Sequence, residues 1–208
     1  MRERDFQTPG RSLVYAANGM VSTSHPLASA IALDALKEGG NAVDAALAAG
    51  FALPLLEPMM TSLGGDMFGL YAPPGAGEAE VLAINGSGAA PAGLDVAPLR
   101  AAGAERMAFA DPRAATLPGC VAGLTALAKA AARFDLDRLT RPARAYARAG
   151  VPVAPRTASD WARFAGQLQG PGARHHLRPD GRAPQAGDLY AAPGLAEALE
   201  AIAAKGPA

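Results

Sequence analysis

Few side chains in this sequence of 208 residues could carry out catalysis. The histidines are His25, His175 and His176, and the single cysteine is Cys120. A hydrolase triad needs a nucleophile, a base and an orienting acid. The sequence also lacks the Gly-x-Ser-x-Gly turn that holds a nucleophilic serine in many hydrolases. Motifs alone therefore predict no complete active site in this chain.

Each of these residues has a structural interpretation beside its chemical one. Cys120 lies in an apolar stretch without a neighbouring base, which favours a small buried hydrophobe over a nucleophile. His25 lies at a predicted helix start, which favours capping or packing over catalysis. His175 and His176 are adjacent in a predicted loop, where two histidines rarely face one metal ion and no third ligand has useful spacing. We therefore predict no metal and no cofactor.

Charge excludes some classes of protein. Lysine plus arginine and aspartate plus glutamate both number 19, so the formal net charge is zero. This balance argues against nucleic-acid binding and against electrostatic attachment to a membrane.

The N-terminal residues lack the apolar core of a secretory signal, which favours a cytoplasmic protein. Arg141, Arg144 and Arg148 follow one side of a predicted helix, either as a solvated face or as an anion site.

Apolar periodicity and turn residues predict an α+β chain that is mostly helical, with a short antiparallel hairpin. After a polar arm at residues 1–12, we predict a short strand at 13–20, helices at 26–38 and 42–53, a hairpin of 67–71 with 80–84, helices at 120–134 and 138–149, a loop at 166–190 and a helix at 194–204. The second helix, which Pro54 should end, is apolar nearly all round and belongs in an interior.

Three strands are too few to complete a layered domain around that helix. We therefore interpret residues 1–208 as a single incomplete domain whose missing sheet must come from further chain. For the same reason we expect the chain alone to aggregate or to stay partly unfolded, because the helix at 42–53 would lack a full burial partner.

Several motifs occur in order along the chain. They are GMVSTSHPLAS at residues 19–29, GGNAVDAA at 39–46, EP at 57–58 and SLGGD at 62–66, followed by weaker matches at 85–91, 117–119, 150–153 and 180–188. This set resembles the start of the large chain of the γ-glutamyltransferases (γ-glutamyltranspeptidases), and the resemblance covers nearly the whole sequence.

The resemblance implies part of the αββα sandwich of an N-terminal-nucleophile (Ntn) hydrolase. Such enzymes are autoprocessed zymogens. The precursor cleaves itself before a threonine, whose hydroxyl then attacks the substrate amide while its free amine acts as base. The threonines here, at positions 8, 23, 61, 116, 125, 140 and 157, do not lie in such a context. We therefore expect no catalytic residue in this chain, which would be truncated and inactive alone, and a C-terminal small chain as the missing partner.

The family also carries an arginine that holds the α-carboxylate of the glutamyl group. Ser87 occupies that position here, and Ala89 occupies the position used by a related subgroup. Ser87 is either a turn residue or a substrate-binding hydroxyl. The resemblance therefore implies an amidohydrolase or acyltransferase of altered specificity that acts on a small amide. One alternative is a true glutathione γ-glutamyl hydrolase or transferase of glutathione metabolism. The other is an inactive fragment or structural half-chain.

Overall fold

The computed structural model describes residues 12–75, 77, 80–108, 111–168 and 172–206. The helices are α1 (Pro26–Lys37), α2 (Ala42–Leu56), α3 (Ala97–Ala101), α4 (Cys120–Ala131), α5 (Leu136–Ala149), α6 (Pro155–Phe164) and α7 (Pro193–Lys205). The strands are β1 (Met67–Tyr71), β2 (Leu82–Gly86), β3 (Val151–Pro152) and β4 (Leu189–Tyr190). The predicted polar arm at 1–12 lies outside the described residues except for Ser12.

Helix α1 begins where the sequence predicts, and His25 is the residue that caps it. The Nδ1 atom of His25 accepts a hydrogen bond of 3.1 Å from the Leu27 N–H. Pro26 follows as the first helical residue, where its missing N–H has no cost. The ring of His25 is buried, so the capping and packing interpretation of this histidine is confirmed.

Helix α2 is fixed by a capping box at its start. The Asn41 side chain accepts from the backbone N–H groups of Val43 and Asp44, while the Asp44 carboxylate accepts from the Asn41 N–H at 2.7 Å. The prediction that Pro54 ends this helix is wrong, since α2 continues to Leu56 with Pro54 inside. A proline in the last turn removes one hydrogen bond, and the helix still closes through the Glu57 N–H on the Leu53 carbonyl at 2.8 Å.

The apolar helix α2 lies in the interior, packed against α1, α4 and α5. Leu47, Phe51 and Leu55 are each no more than 1% exposed. The prediction that this helix lacks a full burial partner is therefore wrong for most of its length, because the chain itself supplies three helices that cover it, and Leu53 is half-buried. Among the described residues no helix is long and apolar enough to cross a membrane.

The described strands form two separate antiparallel pairs. The predicted hairpin is confirmed as β1 with β2, in a register that pairs Phe68 with Asn85, although β2 starts two residues later than expected. The short pair of β3 with β4 was not predicted, and β4 lies within the predicted loop. The strand predicted at 13–20 does not form. Its residues are exposed and have no strand partner in the described part of the chain, and a strand without a partner leaves its backbone groups unpaired.

One face of the β1–β2 hairpin packs on α4, and the other is open. Phe68 and Leu70 on the open face are 70% and 81% exposed. Aggregation of the isolated chain stays a prediction, and this exposed apolar face replaces helix α2 as its expected cause.

Candidate functional site

Three loops converge at the start of α4, at residues 62–66, 85–89 and 116–119; we call this the three-loop junction. The Gly65 carbonyl accepts from the N–H groups of Gly119 and Cys120, at 3.1 and 2.9 Å. The Asp66 carboxylate accepts from the Gly88 N–H at 3.1 Å. The Leu117 N–H donates to the Ala89 carbonyl at 3.0 Å. Segments far apart in the sequence are therefore held together by backbone hydrogen bonds and by the Asp66 carboxylate.

Glycines allow the loops of the junction to approach so closely. A Cβ atom on Gly88 would lie 1.5 Å from the Leu117 carbonyl oxygen, and one on Gly119 would lie 2.2 Å from the Gly86 carbonyl oxygen. Neither distance can be accommodated without moving the backbone. These glycines are therefore required by packing at the junction.

Ser87 and Ala89 project from the junction into solvent. Both residues are exposed. The Ser87 N–H donates to Asn85 Oδ1 at 3.0 Å, which makes residues 85–87 a side-chain-closed turn. The turn interpretation of Ser87 therefore has a structural basis. Its role as a substrate-binding hydroxyl stays a prediction.

An open groove of about 550 Å³ lies beside the junction, between the end of α2, residues 58–62 and β1; we call it the hairpin groove. Its apolar lining includes Leu53, Met59, Met60, Met67, Phe68 and Leu124. Asp66 is the one charged residue among the described residues that line it. The groove therefore offers an apolar surface with a single negative charge at the junction end.

Cys120 also lines the hairpin groove, at the first residue of α4. Its side chain is buried, and burial together with the charge of Asp66 raises the pKa of the thiol. The thiol is therefore protonated at neutral pH and a poor nucleophile. This agrees with the interpretation of Cys120 as a small buried hydrophobe.

No histidine ring among the described residues is hydrogen-bonded to a serine, threonine or cysteine side chain. Burial lowers the pKa of His25, and the negative charge of Glu57 partly opposes this shift. The Oε2 atom of Glu57 accepts a hydrogen bond of 2.5 Å from the Ser24 hydroxyl. Burial and the charge of His175 lower the pKa of His176, which lies 3.4 Å from the Tyr190 hydroxyl. No group of three potential metal ligands occurs in the part of the chain that the structure describes.

The arginine stripe on α5 carries its own counter-charges. Arg141 and Arg144 pair with Asp137, and Arg148 pairs with Glu200 on α7. The hydrogen bonds from Arg141 and Arg144 lower the pKa of the Asp137 carboxyl. The solvated-face interpretation describes Arg141 and Arg148, whereas Arg144 is only 14% exposed and packs into the surface.

Most of the chain matches the model of a known protein family. The family model described as Gamma-glutamyltranspeptidase matches residues 28–208. The chain belongs to the γ-glutamyltranspeptidase family. The resemblance seen in the sequence motifs is thereby confirmed.

Curated relatives of the γ-glutamyltranspeptidase family align with nearly all of this chain. It is 35% identical to an oxamate amidohydrolase proenzyme of Klebsiella pneumoniae, over 92% of this chain and 37% of the relative. It is 32% identical to a glutathione hydrolase proenzyme of Bacillus subtilis, over 91% of this chain and 32% of the relative. The chain thus spans about a third of the length of these relatives.

Solved structures share the fold. A cephalosporin acylase of Bacillus halodurans superposes with a TM-score of 0.83 at 34% identity, over 99% of this chain and 39% of that one. The Helicobacter pylori γ-glutamyltranspeptidase superposes with a TM-score of 0.80 at 28% identity, over 94% and 56%. The inferred fold class, α+β and part of an Ntn-hydrolase sandwich, is confirmed.

Sequence reasoning missed the hairpin groove and the role of Asp66. A signal was available, since the adjacent Met59 and Met60 precede the SLGGD motif and flexible apolar side chains often line binding surfaces. The contacts of Asp66 with Gly88 and Thr116 join residues separated by 22 and 50 positions, and local patterns do not reveal such contacts.

Proposed function

We propose that this chain is the N-terminal part of an Ntn amidohydrolase or acyltransferase proenzyme whose catalytic small chain follows it. The main support is that residues 28–208 match the family model. The chain covers only about a third of the length of relatives that are named proenzymes. Among the described residues no serine, threonine or cysteine side chain is hydrogen-bonded to a histidine ring, which is in keeping with a nucleophile carried by another chain.

In the proposed reaction the N-terminal threonine of the small chain attacks the amide carbonyl. The hydroxyl proton of the threonine passes to the threonine's own amine and then to the leaving amine. The acyl group then remains on the threonine as an ester. Water releases the acid, or a second amine takes the acyl group. This chain would contribute the substrate surface at the three-loop junction, with Ser87 as the binding residue.

We infer that Ser87 replaces the family arginine, and this replacement favours a substrate other than a γ-glutamyl amide. The oxamate amidohydrolase and cephalosporin acylase among the relatives act on other amides by name, which supports this choice. True glutathione hydrolysis is the second candidate, and the glutathione hydrolase of Bacillus subtilis at 32% identity favours it. A catalytically inactive structural half-chain is the third.

The test is co-expression of this chain with the coding segment downstream of it. Mass spectrometry should detect a small chain that begins with threonine, and the complex should hydrolyse an acyl anilide that the isolated chain leaves intact. A threonine-to-alanine variant of the new N-terminus is the control and should be neither cleaved nor active. An assembled complex without cleavage and without amide hydrolysis would leave the half-chain reading as the correct one.

A further inference from the structure

Asp66 connects the other two loops of the three-loop junction through one carboxylate oxygen. Its Oδ1 atom accepts a hydrogen bond of 3.1 Å from the Gly88 N–H and one of 3.4 Å from the Thr116 hydroxyl. Asp66 is the residue before β1, which pairs with β2. A hydrogen bond that a carboxylate accepts is stronger than one between neutral groups. The carboxylate therefore ties the loop that follows β2 to the start of β1.

The bond to Gly88 acts on the turn that carries Ser87. The Ser87 N–H donates to Asn85 Oδ1 at 3.0 Å, and the next N–H along the chain is the one that Asp66 binds. The first bond lies within the turn and does not fix the turn relative to the rest of the junction. The second bond attaches the turn to another segment. Together the two bonds hold the Ser87 backbone in one place relative to β1.

Close packing at Gly88 gives the same loop a second contact, which is steric. A Cβ atom on Gly88 would lie 1.5 Å from the Leu117 carbonyl oxygen, and the Leu117 N–H donates to the Ala89 carbonyl at 3.0 Å. These contacts do not involve Asp66, so they should persist when its carboxylate is removed. Removal should therefore shift the Ser87 turn without unfolding the junction, which separates an effect on position from a loss of stability.

We propose that Asp66 is a positioning residue for the amide substrate and acts through the Gly88 N–H on Ser87. The inference rests on the proposed function, in which Ser87 is the binding residue, and adds the group that orients Ser87. Placement of substrate-binding groups is a large part of enzymatic rate enhancement, and small displacements of them are costly. A group that binds the ground state and the transition state alike affects KM more than kcat. The loss of Asp66 should therefore appear mainly in KM.

The test uses the assembled, cleaved enzyme with whichever of acetyl, pentanoyl and γ-glutamyl anilide it hydrolyses fastest. Asp66→Ala should raise KM by about tenfold and change kcat by less than about threefold. Asp66→Asn keeps an acceptor oxygen for the Gly88 N–H and should restore most of the lost affinity. Asp95→Ala is the matched control, because Asp95 is also exposed and accepts a backbone N–H within its own turn, from Ala97 at 2.9 Å. It should leave KM unchanged.

A double-mutant cycle distinguishes positioning from a general structural effect. Ser87→Ala should raise KM by a similar factor, and Asp66→Ala should then add less than about twofold to the KM of the Ser87→Ala enzyme. Hydrogen exchange of the Gly88 amide should accelerate in Asp66→Ala and not in Asp95→Ala. An effect of Asp66→Ala that persists undiminished in the Ser87→Ala enzyme, or a KM equal to that of Asp95→Ala, would overturn the inference and leave the amidohydrolase proposal standing. An assembled enzyme that hydrolyses no anilide would overturn both.

Discussion

The buried carboxylate of Asp44 is expected to be a principal stabilising contact of the helical core. Asp44 is fully buried and accepts three backbone hydrogen bonds, from Asn41 at 2.7 Å and from Arg133 and Phe134 at 2.9 Å each. The last two donors belong to the connection between α4 and α5. The side chain therefore joins the start of α2 to a segment about 90 residues away.

The magnitude follows from the donors that would be left without a partner. Asp44→Ala removes the acceptor of three N–H groups, and each unsatisfied buried group costs about 1–3 kcal/mol. Arg133 is exposed, so water can reach part of this region, and the lower end of the range applies. We expect Asp44→Ala to lower the free energy of unfolding by about 3–5 kcal/mol. Asp44→Asn keeps one acceptor oxygen but turns an amide donor toward an N–H, and should cost about 1–2 kcal/mol.

Pulse proteolysis in urea measures these differences at protein concentrations too low for association through the hairpin face. Asp34→Ala is the matched control, because Asp34 is an exposed aspartate paired with Lys37 on α1. Its effect should stay within about 0.5 kcal/mol. A loss below about 1 kcal/mol for Asp44→Ala, or the same loss for both alanine variants, would refute the assignment of this contact as stabilising.

Two further predictions follow from the close packing at Gly88 and from the buried His25 with the half-buried His176. Gly88→Ala should destabilise the chain by about 2–3 kcal/mol and lower amide hydrolysis, since its Cβ would overlap the Leu117 carbonyl. Gly93→Ala is the control, and it should be nearly neutral in the same urea assay because the space around Gly93 is open. Burial lowers the pKa of His25 and His176 below 6.5 in the folded state, so the unfolded chain binds more protons and stability should fall as the pH drops below about 6.5. His25→Asn, which can still cap α1, should flatten part of that fall between about pH 6.5 and pH 5, and a slope equal to that of the unaltered chain would contradict the assignment.

Local signals predicted α1, α2, α4, α5 and α7, whereas α3 and α6 were not predicted. Asn41 with Asp44 predicted the start of α2, and the adjacent Gly39 has a φ of +93°, as expected for the end of α1. These features depend on residues within one turn of each other, which the sequence displays directly. The order of the motifs predicted the family because the sequence displays that order directly as well.

Features that depend on distant partners were predicted poorly. Residues 13–20 have strand-like composition, but a strand forms only beside another strand, and composition does not say whether one is present. The partners of α2 lie up to about 90 residues away, so its burial could not be judged from its own residues. The hairpin groove likewise combines residues from α2, β1 and α4.

The hydrogen bonds of Asp44 also set an order of events during synthesis. Helices α1 and α2 are joined by a short turn and can pair as soon as both leave the ribosome. The Phe134 N–H that completes the Asp44 site is made 90 residues later, which at typical translation rates is roughly 5–20 s. Throughout that interval the side of α2 that later packs on α4 and α5 is uncovered. A nascent-chain chaperone would therefore find its apolar binding segment in α2 and be released once α5, which ends at Ala149, has emerged.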